Sequence, residues 1–295
     1  MELNRTLSTS FKLGDYTLSN RIVLAPMSCL SQERNLSQPK IVNYYAQKAS
    51  AGLIVTDPTL ISPLAGFQNC PGIYTHQQVK KWRQITEKVH DRNGKIFLQL
   101  WYCDDATASC LLGETLPPIE LTKSFNTKED LSTVVKLFRR AAQNALRADF
   151  DGVEIHAAFG YLVNRYLQYT LDREIEQPQQ LLFRIIEEVA SVWDEERVGV
   201  RIAPDRAFSG SKVSDLLDIF YDLSDAFNFY DIAYVHLIES APDFKLQVFL
   251  ALSSLLRSIY HGTIVANCQD NLKKAQLAIA TGNADLISFD KLIAC

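Results

Sequence analysis

Short apolar runs alternate with longer amphipathic stretches along the chain, and the alternation repeats eight times. The runs predict strands at Ile22–Met27, Leu53–Thr59, Lys95–Trp101, Gly152–Ala157, Val198–Ala203, Ile232–Ile238, Thr263–Ala266 and Asp285–Phe289. Several are apolar almost throughout, as parallel strands buried on both faces should be. The stretches between them predict helices at Lys40–Ala51, Gln77–Asn93, Lys128–Ala148, Gln180–Asp194, Lys212–Asn228, Phe244–Tyr260 and Asn271–Thr281. In the third, Leu131, Val134, Val135, Phe138 and Ala142 recur at helical spacing. Pro39 and Asp130 suit helix starts. Eight βα units favour a closed (β/α)₈ TIM barrel over an open sheet, and no GxGxxG follows the first strand. Phe11–Ser19, with Gly14-Asp15 at its turn, reads as an N-terminal β-hairpin that could plug the bottom of the barrel. The last strand ends near Asp290 and the sequence stops at Cys295, so the final helix is expected to be missing.

Composition narrows the picture without changing it. A length of 295 residues suits one barrel domain over 1–295, since such barrels run to about 250 residues and more. The net charge of −4 is spread without a basic stripe, so no nucleic-acid partner is expected. No apolar run approaches a membrane span and Met1–Gly14 lacks a signal-like core, which predicts a cytoplasmic protein. Six cysteines form neither a CxxC pair nor a zinc spacing, so reduced thiols and no metal site are expected.

In this fold, functional side chains stand at the C-terminal ends of the strands. Those ends offer Ala25-Pro26-Met27-Ser28 after the first strand and Gln99, Trp101 and Tyr102 on the third. The fourth ends in His156, with Phe159, Gly160 and Tyr161 beyond it, and the fifth carries Arg201. An amide such as Gln99 offers one donor group and one acceptor; Arg201 offers fixed positive charge.

Several blocks make the resemblance specific: Asn20–Met27, Tyr44–Ser50, Phe97–Trp101, Gly152–His156, Gly160–Leu162 and Arg197–Arg201. In that order and spacing they resemble the Old Yellow Enzyme family of FMN-dependent ene-reductases. The resemblance implies an oxidoreductase passing hydride from NAD(P)H, through FMN, to a small electron-poor alkene. It implies that Ala25, Pro26, Met27, Ser28, Gln99 and Arg201 contact the flavin ring. It assigns Tyr161 as the proton donor and His156 as a donor to the substrate carbonyl, with Trp101, Tyr102 and Phe159 lining the pocket.

Four departures gather at the same end. Phe159 stands where the family pairs a second carbonyl donor with His156. Cys268 replaces a phosphate-site glycine, and Asp290-Lys291 replaces a Gly-Arg pair, so Lys291 would have to supply the phosphate charge. The strand-end loops at Cys103–Leu121 and Leu171–Gln180 are short, and Asp57-Pro58 replaces the usual pair after the second strand. These departures predict weakened FMN binding. They leave open a flavin-free barrel enzyme performing acid–base or pericyclic chemistry on an apolar molecule, and a non-catalytic binding protein. For the latter, an apolar strip left by the missing helix would favour a homodimer.

Overall fold

The computed structural model describes residues 5–27, 38–63, 70–102, 128–158, 180–203, 213–238, 246–268 and 270–290. The chain opens with the expected hairpin, β1 (Phe11–Leu13) against β2 (Tyr16–Leu18), Leu13 opposite Tyr16. Then come β3 (Ile22–Leu24), β4 (Leu53–Val55), β5 (Thr59–Leu60), β6 (Ile96–Trp101), β7 (Gly152–Ala157), β8 (Val198–Ile202), β9 (Tyr234–Leu237), β10 (Ile264–Asn267) and β11 (Leu286–Phe289). Neighbours run parallel in the order β4-β3-β11-β10-β9-β8-β7-β6, and pairing of β4 with β6 closes an eight-stranded barrel. The seven predicted helices appear at Gln38–Gln47, His76–His90, Lys128–Arg147, Gln180–Trp193, Val213–Ala226, Leu246–Ile259 and Leu272–Thr281. Thr75 caps the second through a capping box with Gln78, and Asn271 caps the last.

The second predicted strand is the one that the structure divides. β4 stops at Val55, and only Thr59–Leu60 resumes pairing with β6. Pro58 has no N–H to give to the ladder, and the hydroxyls of Thr56 and Thr59 both donate to the Asp57 carbonyl.

Alternation sorts each strand into two faces. Leu98, Leu100, Val153, Ile155, Val198, Val200, Val235 and Leu237 join the helix-facing core. At the bottom of the barrel Val23, Leu53, Phe97, Tyr234, Val265 and Leu286 form a separate cluster with Leu13 and Leu18 of the hairpin, so the hairpin does seal that end. Phe97 and Tyr234 stack there with ring centroids 5.9 Å apart. Their rings need the two glycines on the neighbouring strands. A Cβ on Gly152 would sit 2.5 Å from Phe97 Cζ, and one on Gly199 would sit 2.3 Å from Tyr234 Cζ. Beneath them the Asp151 carboxylate gathers His90 Nε2 at 2.8 Å, Lys95 Nζ at 2.8 Å and the Ile96 amide at 2.9 Å, tying helix, strand entry and turn together.

Cysteine chemistry departs from expectation at one place. Cys70 takes part in a disulfide, so the thiols are not uniformly reduced, and the spacing of the cysteines gave no sign of it. Cys268 is a buried thiol. Among the described residues, no helix is long and apolar enough to cross a membrane.

Candidate active site

Above the apolar floor, the inward positions of six strands, β6 to β11, turn polar. Register explains the grouping: Gln99 lies beside Glu154, and His156, Arg201 and His236 lie in a row across β7, β8 and β9. Asn267 lies beside Ser288 on β10 and β11. All seven are buried, Gln99, Glu154, His236 and Ser288 completely. Interiors tolerate such groups when their hydrogen bonds are made.

Most of these bonds form one chain. Gln99 Nε2 donates to Glu154 Oε1 at 2.6 Å, the other carboxylate oxygen meets His236 Nδ1 at 2.8 Å, and His236 Nε2 meets Ser288 Oγ at 2.8 Å. Burial alone would raise the Glu154 carboxyl; the bound His236 imidazole, the Arg201 charge and the Gln99 amide outweigh it and hold the group below its usual range. Burial also presses the His236 imidazole below its usual range, against the pull of Glu154. The neutral ring therefore donates from Nδ1 to the carboxylate and accepts the Ser288 hydroxyl proton at Nε2. Arg201 supplies the countercharge in this layer.

The buried carbonyl oxygen of Gln99, turned away from Glu154, has no hydrogen-bond partner among the described residues. Leaving such an acceptor dry costs on the order of 1–3 kcal/mol. A fold that carries it implies something else to meet it.

Next to this layer is the turn after β3. Arg201 Nη1 donates to the Pro26 carbonyl at 3.3 Å, and the Met27 amide donates to Asp57 Oδ1 at 3.2 Å. The Asp57 amide in turn donates to Tyr45 Oη at 3.2 Å, so Tyr45 does more than pack its helix. His156 is buried, and burial followed by the neighbouring Arg201 charge holds its imidazole well below the usual range. It is a neutral ring at physiological pH.

The structure thus brings Ala25, Pro26, Met27, Gln99, Trp101, His156 and Arg201 to one end of the barrel, with Tyr102 immediately after Trp101. Cys268 is placed otherwise. Its side chain belongs to the helix-facing core and its amide donates to the Ser288 carbonyl at 3.4 Å, because Asn267, not Cys268, has the inward parity on β10. The Asn267 amide holds Asp290 Oδ1 at 3.0 Å. Ser28, Phe159, Tyr161 and Lys291 lie outside the described residues, as do the loops expected to be short. Glu154, His236, Ser288 and Asn267 escaped the sequence reading as site residues. Their signal was a polar side chain at inward parity in an otherwise apolar strand.

Comparison with known proteins agrees with the barrel fold. Residues 6–293 match the NADH:flavin oxidoreductase / NADH oxidase family. The chain is similar to a putative 12-oxophytodienoate reductase 11 of Oryza sativa subsp. japonica, 31% identical over 323 residues, covering 99% of this chain and 88% of the relative. That aligned span exceeds the chain's own 295 residues, so the relative has insertions that this chain lacks. Among solved structures, morphinone reductase superposes with a TM-score of 0.83 at 26% identity, covering 97% of this chain and 86% of that one. The Old Yellow Enzyme homologue from Zymomonas mobilis gives 0.80 at 29% identity, over 96% and 88%.

Proposed function

Because the chain belongs to the NADH:flavin oxidoreductase / NADH oxidase family, whose Old Yellow Enzyme members its sequence resembles, we propose that it is an FMN-dependent reductase of small electron-poor alkenes, with NAD(P)H as reductant. The observation that carries this reading is the buried, unpartnered Gln99 carbonyl oxygen at the end of the barrel where the fold places its chemistry. When bound, FMN supplies hydride transfer between the nicotinamide and the alkene.

The residues present fit the ring of that cofactor. Gln99 offers an acceptor to an imide N–H, and Arg201 offers fixed positive charge beside an electron-rich pyrimidine edge. The Ala25–Met27 turn, braced by Arg201 and Asp57, supplies a flat wall against which an aromatic ring can pack. His156, a neutral imidazole, donates a hydrogen bond to a substrate carbonyl and so draws electron density from the conjugated double bond. Tyr161 holds the proton that completes the addition at the alkene carbon. Trp101 and Tyr102 line the pocket, with Phe159 in place of a second donor. At the phosphate end, Asp290 is occupied by Asn267, and Lys291 is the nearby cation in sequence. Neither the flavin-free nor the non-catalytic alternative has an observation that favours it.

Colour tests the proposal directly. The purified protein is expected to be yellow, or to become so with added FMN, and to oxidise NADPH in the presence of cyclohexenone under anaerobic conditions. A colourless protein that takes up no FMN at micromolar concentration would sink the reading.

A further inference from the structure

Gln99 has two faces with opposite hydrogen-bonding character, and nothing in an amide's shape decides which faces the ligand. The decision comes from below. An ionised Glu154 can only accept, so the Gln99 NH₂ group must face it and the carbonyl oxygen must face away. Glu154 is itself fixed by His236, and His236 by Ser288, so the polarity of four side chains on four strands is set in one sense. Resting on the flavin reading above, we propose that Glu154 is a positioning residue. Held by His236 and Ser288, it locks the Gln99 amide so that an acceptor, not a donor, meets the imide N3–H of the flavin.

This arrangement predicts what a neutral replacement does. In Glu154→Gln, His236 is predicted to keep its Nδ1–H, with Nε2 still accepting from Ser288, and to give that proton to the new amide's oxygen. The new NH₂ group then faces Gln99, which must turn its own carbonyl inward and present NH₂ to the ring. An N–H would confront an N–H.

The test is FMN binding by the flavin-stripped full chain, read by quenching of FMN fluorescence, with the N3–H proton resonance of ¹⁵N-labelled FMN as second readout. In Glu154→Gln, binding is expected to weaken about tenfold or more, and the N3–H resonance to move upfield as its acceptor is lost. In the exchanged pair Gln99→Glu/Glu154→Gln, the amide at 154 donates to a carboxylate at 99, whose second oxygen is again an acceptor. The downfield resonance is expected to return there, a rescue that a merely packing role for Glu154 would not give. If Glu154→Gln does not fold, the exchanged pair carries the test alone, because it keeps every donor matched to an acceptor. Wild-type affinity and resonance in Glu154→Gln would overturn the inference while leaving the flavin reading intact. So would an exchanged pair that binds FMN without restoring the resonance. Failure of the wild-type chain to bind FMN would remove both.

Discussion

Gly199→Ala tests how the barrel floor is built. The added methyl would lie 2.3 Å from Tyr234 Cζ, 2.4 Å from Cε2 and 2.8 Å from the hydroxyl oxygen, all inside contact distance. The ring has nowhere to go, being fully buried and stacked on Phe97. Overpacking of this kind costs about 1–3 kcal/mol, and with a rigid aromatic as the obstacle the upper half of that range is expected. Restricting the unfolded chain by replacing glycine offsets about 0.4–1 kcal/mol, leaving a net loss of about 2 kcal/mol. Tyr234→Ala alone should cost about 3–5 kcal/mol through its cavity. In that background the same Gly199→Ala change meets open space and should be neutral or slightly stabilising. The coupling between the two sites is therefore about 2 kcal/mol, large enough for a double-mutant cycle. Urea denaturation followed by circular dichroism, on protein stripped of bound ligand, measures it. An equal penalty for Gly199→Ala with and without the Tyr234 ring would refute the steric argument.

Two further outcomes follow from the same structure. The Asp151 knot should make stability pH-dependent on both sides. The hydrogen bond to Asp151 raises the His90 imidazole above 6.5, so its contribution is full below that pH and is lost as pH rises through the raised value. Burial alone would raise the Asp151 carboxyl, but donation from His90, Lys95 and the Ile96 amide holds it below 3.8, so its contribution is present above 3.8 and is lost as pH falls through the lowered value. Asp151→Asn should cost about 2 kcal/mol near pH 5, discounted for the partial exposure of its two cations, and should flatten both slopes; thermal melts from pH 3 to pH 8 that keep their slopes in the variant would contradict this. At the other end, Tyr161→Phe should slow alkene reduction at least about a hundredfold while NADPH still reduces the bound flavin at its wild-type rate; equal slowing of both half-reactions in stopped flow would remove Tyr161 as the proton donor.

The fold was legible because its causes are local. Val153, Ile155, Val198 and Val200 announce buried parallel strands wherever they occur, and the hairpin's Leu13 and Leu18 needed only alternation to be placed under the barrel. Where local pattern misled, a single residue is responsible. Pro58 has the apolar character of a strand position but no N–H, so the ladder breaks around it. The resemblance located Gln99, His156 and Arg201, and parity could have excluded Cys268: inward-facing Val265 and Asn267 leave it on the outer face.

The polar layer was illegible for a different reason. Glu154 and His236 are 82 residues apart, and His236 and Ser288 52 apart. They meet because strand tilt brings the inward side chains of alternate strands, β7, β9 and β11, into one layer, a property of the sheet and not of any one strand. Parity alone marks Glu154 and His236 as inward-facing polar residues; it cannot say that they bond each other. Read singly, each looks like a destabilising flaw in an apolar run. Joined, they satisfy one another and leave Gln99 Oε1 with its bonding capacity directed elsewhere. A core built only for stability would have closed that last valence with a water-sized polar partner or an apolar replacement. The open acceptor is where the requirements of folding stop accounting for the residue types, and where those of a ligand begin.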